Sequence, residues 1–124
     1  MKKILVIAVL ISLLMCRQVN AETITAYATA YNITGTTATG TYTVEGRTIA
    51  GKREWFNKVL MVWEDKDGSG QIKPENYLGT FICEDIGGAT IQSGQVVDIY
   101  ISDLQRAKEF GSKKVIIQII ESEG

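Results

Sequence analysis

The chain has 124 residues, 13 basic and 14 acidic side chains, two cysteines, one proline and no histidine. That length holds a single domain. The absence of histidine removes Ser-His-Asp and Cys-His catalysis together with the usual zinc sites, which leaves carboxylates as the acid–base groups.

Residues 1–21 read as a secretory signal peptide: Lys2 and Lys3 form a basic start, "ILVIAVLISLLM" is an apolar run of secretory length, and "VNA" places small residues before a cut after Ala21. Cys16 is preceded by Met15 where a lipidation motif requires a small residue, so no stable membrane anchor is expected. Removing the leader takes away Lys2, Lys3 and Arg17 and leaves 10 basic against 14 acidic residues, a net charge of −4. A chain of that sign has no basic face for nucleic acid or an anionic membrane.

Residues 22–124 form the expected domain. "ETITAYATAY" alternates as a half-buried strand does, and "KVLMVWE" and "YLGTFICE" are apolar runs bounded by turn residues. Cys83, inside "TFIC", reads as a small buried hydrophobe with no second cysteine to pair with after leader removal. Between the two runs lies "DKDGSGQIKPEN", which has the look of a calcium loop. An EF-hand needs flanking helices and a bidentate Glu at its twelfth position, whereas here the flanks are strand-like and the twelfth residue is Asn76. A hairpin tip accounts for the same Asp, Gly and Ser residues, and no metal is expected.

Farther along, "EDIGGATIQSGQVVDIY" carries the residues of most chemical interest. Asp98 lies within a strand, Val97, Ile99 and Ile101 sharing one face while Val96 and Tyr100 flank it on the other. Burial there raises the pKa of a carboxyl, as a general acid near neutral pH requires; hydrogen bonds to the backbone or a basic partner are the structural alternative. Asp85 before Gly87 and Gly88 suits an ordinary turn equally well. One helix is predicted, with Ser102 as N-cap, Asp103 in the first turn, Leu104, Ala107 and Phe110 three apart, and Gly111 as the stop. "KKVIIQII" closes the chain as a strand. Many short strands and one helix in about 100 residues point to a small closed β-barrel, since closure removes exposed edges.

The segments "TAYATAY", "GTTATG", "EGRTIA", "EDIGG", "VDIYISDLQRAKEFG" and "KKVIIQII" follow one another as in the 3D domain. The chain thus resembles that double-psi β-barrel module of secreted bacterial cell-wall proteins, which is related to murein lytic transglycosylases. The resemblance spans nearly all of residues 22–124 and implies a mainly β fold, a small six-stranded double-psi barrel with one short helix near the C-terminus. It implies an extracytoplasmic enzyme, secreted or cell-wall associated, that cleaves peptidoglycan glycan strands between N-acetylmuramic acid and N-acetylglucosamine without a cofactor. Asp98 is then the acid/base and Asp85 its neighbouring carboxylate; Thr37, Thr39, Gly40, Lys52, Gly87 and Gly88 would border the substrate. The chain departs from the pattern at the first of the three aspartates that give the domain its name, where "IAGKREWF" supplies Lys52. That lysine is either a solvated strand-end residue or a cation that orients Asp98 or a substrate acyl group. The alternative function is a non-catalytic glycan-binding module, with Trp55, Phe56, Trp63, Tyr77 and Tyr100 as stacking platforms.

Overall fold

A computed structural model describes residues 19–122; most of the expected signal peptide and the last two residues lie outside that range. Six strands run in chain order: β1 (Val19–Tyr31), β2 (Thr48–Ala50), β3 (Val59–Glu64), β4 (Tyr77–Asp85), β5 (Val96–Tyr100) and β6 (Lys113–Ser122). They close into a barrel in the order β1-β5-β2-β4-β3-β6. Two neighbouring pairs, β1 with β5 and β2 with β4, are parallel, and the remaining pairs are antiparallel. The mainly β closed barrel expected from the strand pattern, with the six strands that the resemblance implied, is thus the architecture of the chain.

Side-chain alternation sets the two faces. Ala26 and Ala28 of β1, Leu60 and Val62 of β3, Phe81 and Cys83 of β4, Val97 and Ile99 of β5, and Val115, Ile117 and Ile119 of β6 fill the interior with Ile49. The small Ala26 and Ala28 of β1 leave room in a narrow interior for the branched side chains of the other strands. Leu60, Ile117 and Val97 are completely buried, so truncation of Leu60 to Ala would cost about 2–5 kcal/mol.

The β3–β4 connection is a hairpin, and its tip is self-contained. Both oxygens of buried Asp65 accept the Gly70 N–H at 3.3 and 3.1 Å, while Asp67 accepts the Ser69 N–H at 3.1 Å and pairs with Lys73. Gly68 and Gly70 supply the positive φ values, 71° and 72°. Among the described residues no group of three or more metal-ligating side chains converges.

Two short α-helices interrupt the strands, besides the 3₁₀ turns Arg53–Trp55 and Pro74–Asn76. The one-turn α1 (Ala89–Gln92) was not expected; it is capped by the Gly88 carbonyl, which accepts from Ile91 and Gln92. The predicted helix is present as α2 (Leu104–Phe110), but its N-cap is Asp103 rather than Ser102: the Asp103 carboxylate accepts the Arg106 N–H at 2.8 Å. That places the side-chain oxygen opposite the third helical N–H, the donor a capping residue normally satisfies. Gly111 ends the helix at φ 66°. Among the described residues no helix is long and apolar enough to cross a membrane.

Candidate functional site

The candidate site lies on the outer wall of the barrel, where β1, β5, β2 and β4 lie side by side. Ala50 of β2 is the register point: it pairs with Asp98 of β5 on one side and Asp85 of β4 on the other. At about 4.8 Å per strand, the two aspartates are about 10 Å apart at their Cα atoms.

A bulge brings Asp85 to this wall. Ile49 pairs with Cys83 but Ala50 pairs with Asp85, so Glu84 is the extra residue and two consecutive acidic side chains leave the strand on the outside. Glu84 is almost fully buried, accepting the Thr48 hydroxyl at 3.0 Å and lying 2.9 Å from the Arg47 Nε. Asp85 meets three donors. The Ala38 and Ile86 N–H groups reach Oδ1 at 3.2 and 3.0 Å, and the Tyr31 hydroxyl reaches Oδ2 at 2.9 Å.

Asp98 has a sparser setting. Val97 and Ile99 beside it point into the core, as the sequence pattern required, which leaves Asp98 on the outer face next to its β1 register partner Thr29. The Thr29 hydroxyl donates to Asp98 Oδ1 at 3.0 Å; Oδ2 takes no hydrogen bond among the described residues. Burial pushes the Asp98 carboxyl above its ordinary value; the Thr29 hydrogen bond opposes the shift and the negative charge of Asp85 adds to it. Tyr31, between the two carboxylates, has its hydroxyl pKa pushed well above normal, first by burial and then by its hydrogen bond to Asp85. Its ring meets that of Tyr100 edge-on at 5.6 Å, and the Tyr100 hydroxyl is 2.5 Å from that of Thr34.

The 32–47 loop folds over this wall. Thr37 is buried and its hydroxyl lies 3.3 Å from that of Thr39 and 2.7 Å from that of Thr41. The Thr39 N–H donates to the Glu84 carbonyl, and the Gly40 N–H returns to Thr37 in a turn that Gly40 makes at φ 91°. Ala38 sits within this turn, so Thr37, Thr39 and Gly40 are brought against Asp85. Glu45 fastens the far end of the loop to α2 through a two-pronged pair with Arg106 at 3.0 and 2.8 Å.

The other three candidates have different surroundings. The Lys52 ammonium lies 3.5 Å from Glu54 and 5.7 Å from the centre of the Trp55 ring, its side chain crossing Gly94. It lines a cavity of about 610 Å³ with Glu22, Thr25 and Gln92, not the space between the carboxylates. Gly87 is required by packing, since a Cβ there would come within 2.1 Å of the Ile91 Cδ1; Gly88 has open space at the same position and serves as the α1 cap. Sequence reasoning did not single out Thr29, Tyr31, Arg47 or Glu84.

Fold and site together define a closed barrel with a pair of carboxylates on its outer wall. No protein-family model matches the chain, and no curated protein matches it. Solved structures do: MltA from E. coli is similar with a TM-score of 0.53 at 20% identity over 71% of this chain. The same protein with bound chitohexaose gives 0.52 at 20% over 73%. The MltA structure described as a unique lytic transglycosylase fold gives 0.53 at 19% over 76%. The chain spans only 28% to 29% of the length of these neighbours. At such identity the likeness is one of fold.

Proposed function

We propose that the mature chain is a secreted, cell-wall-associated enzyme that cleaves peptidoglycan glycan strands by lytic transglycosylation, with Asp98 as its acid/base. The observation that carries this reading is the state of Asp98: half-buried, raised in pKa, held at one oxygen by Thr29 and free at the other, with the charge of Asp85 across Ala50. A raised pKa favours the protonated form from which a general acid donates. The likeness in fold to MltA, one of whose structures holds chitohexaose, supports a glycan as the substrate class.

In the reaction the protonated Asp98 gives its proton to the glycosidic oxygen as the bond from C1 of N-acetylmuramic acid breaks. The C6 hydroxyl of the same sugar then bonds to C1, and its proton returns to Asp98. One carboxyl serves both steps, no water is consumed, and the product ends in 1,6-anhydro-muramic acid. Asp85 contributes charge, and the Thr37, Thr39 and Gly40 turn borders the glycan.

The test is mass spectrometry of fragments released from purified peptidoglycan by the mature protein. Anhydro ends, lost in a folded Asp98→Asn variant, are expected. Reducing ends from the wild type would replace transglycosylation by hydrolysis, and no release from folded wild-type protein would leave a glycan-binding module.

A further inference from the structure

Two carboxylates on one wall open a route to a reaction that the proposed activity avoids. Asp85 and Asp98 lie two strands apart with Ala50 between them. Carboxyl groups about 6.5–9.5 Å apart are the hallmark of inverting glycoside hydrolases, in which the second carboxylate activates a water. With Cα atoms about 10 Å apart and both side chains on one wall, Asp85 is the carboxylate placed to be tested as such a base. Something must keep it from that role if the C6 hydroxyl is to be the attacking group.

The hydrogen bonds around Asp85 supply the means. Its Oδ1 already accepts two backbone N–H groups, from Ala38 and Ile86, which use both lone pairs of that oxygen. Its Oδ2 is the oxygen left for a water, and there the Tyr31 hydroxyl donates at 2.9 Å. Tyr31 stands at the end of β1 in register with Tyr100, and its ring is held edge-on against the Tyr100 ring, so the hydroxyl is fixed in place. Asp98 has the opposite arrangement, one oxygen engaged by Thr29 and the other open.

We propose that Tyr31 is a positioning residue that decides the product: by donating to Asp85 Oδ2 it takes one of the two acceptor sites left on that carboxylate and competes with water there, so that glycan cleavage ends in the 1,6-anhydro form. This inference rests on the proposed lytic activity and assigns its specificity to one hydroxyl. With that hydroxyl removed, water reaches Oδ2; its oxygen bonds to C1 as the glycosidic bond breaks, Asp98 protonates the leaving oxygen, and Asp85 takes the proton of the water and later returns it to solvent.

The experiment compares the ends of fragments released from purified peptidoglycan by wild type, Tyr31→Phe, and Tyr31→Phe combined with Asp85→Asn. Phenylalanine keeps the ring that packs on Tyr100 and deletes only the donor. Tyr31→Phe is expected to raise the ratio of reducing to anhydro ends at least about tenfold, a modest share of the roughly 10²–10⁴-fold that a positioned general base contributes. The double variant should return to anhydro ends alone, because the base itself is gone. Release by Tyr31→Phe with an unchanged ratio would overturn the assignment while leaving the lytic activity standing. Reducing ends that persist in the double variant would also overturn it, since Asp85 would not be their source. Wild-type protein that releases nothing would defeat the activity and the inference with it.

Discussion

Replacing Arg47 with Met should loosen the loop that covers the carboxylates, and the size of the effect can be worked out from the Glu84 environment. The Glu84 side chain is 4% exposed and that of Arg47 40% exposed, with Nε and Oε1 2.9 Å apart. At an effective dielectric of about 20, charges at that distance attract by about 6 kcal/mol. Much of this is offset by desolvation of the carboxylate and by the water around the arginine. The Nε–H is also not aligned for a hydrogen bond, so the directed contacts to Glu84 are the Thr48 hydroxyl at 3.0 Å and a long one from Arg47 Nη2 at 3.5 Å. A net loss of about 2 kcal/mol remains for Arg47→Met, below the 3–5 kcal/mol typical of a fully buried pair. In a domain of this size that lowers Tm by roughly 8–15 °C. The arginine also donates from NH2 to the Tyr42 carbonyl, so the same change frees the loop beside Thr37 and Thr39. Thermal unfolding followed by circular dichroism reads the effect, and Arg47→Met/Glu84→Leu provides the internal check. Removing both charges should recover most of the loss, because the cost lies in the stranded carboxylate. A fall in Tm of less than about 3 °C, or a double variant less stable than the single, would refute the reasoning.

Asp98→Asn should raise Tm near neutral pH. A carboxyl whose folded pKa exceeds its unfolded value of about 3.9 loses stability as pH rises from that value through the folded pKa. The advantage of the variant should therefore shrink to nothing below about pH 3.5, and a gain independent of pH would contradict the burial of Asp98. Gly87→Ala should cost about 1–3 kcal/mol in urea denaturation, from the clash with Ile91, while Gly88→Ala, with nothing within 4 Å, should be close to neutral. The Cys83 thiol, fully buried and pushed up to about 12 by that burial, should resist a thiol reagent in the native protein and react at once when unfolded. Equal rates in the two states would show the thiol to be accessible.

The strands were legible because their alternation is a local property. The faces of β5 followed directly from Val97, Ile99 and the intervening Asp98, and the hairpin from turn residues between two apolar runs. β2 is only three residues long, too short for a period to show, and it was seen only as part of "EGRTIA". α1 was hidden because one turn has no helical period and its cap is a glycine carbonyl. The carboxylates of the candidate site were visible as residues, but their partners were not. Thr29 meets Asp98 across 69 positions and Tyr31 meets Asp85 across 54, contacts created by strand order and by a bulge that no single segment encodes. Glu84 carried no signal of its own, because the bulge that turns it and Asp85 to the same wall exists only once β2 is paired.

The ladder between β1 and β6 joins Val19 to Ser122 and continues residue by residue to Ala28 and Lys113. The first strand thus has no antiparallel neighbour until the last one arrives, and its only other partner, β5, also comes late in the chain. Such a topology delays its reward, because nearly the whole loop-closure entropy is spent before the seam forms. Until β6 arrives the barrel is an open sheet with one side of β1 unpaired, an edge that invites pairing between chains. A chain delivered N-terminus first through a narrow pore would close its barrel only after Lys113 to Ser122 had emerged, whereas the carboxylate wall, built from β1, β5, β2 and β4, would need the chain only as far as Tyr100.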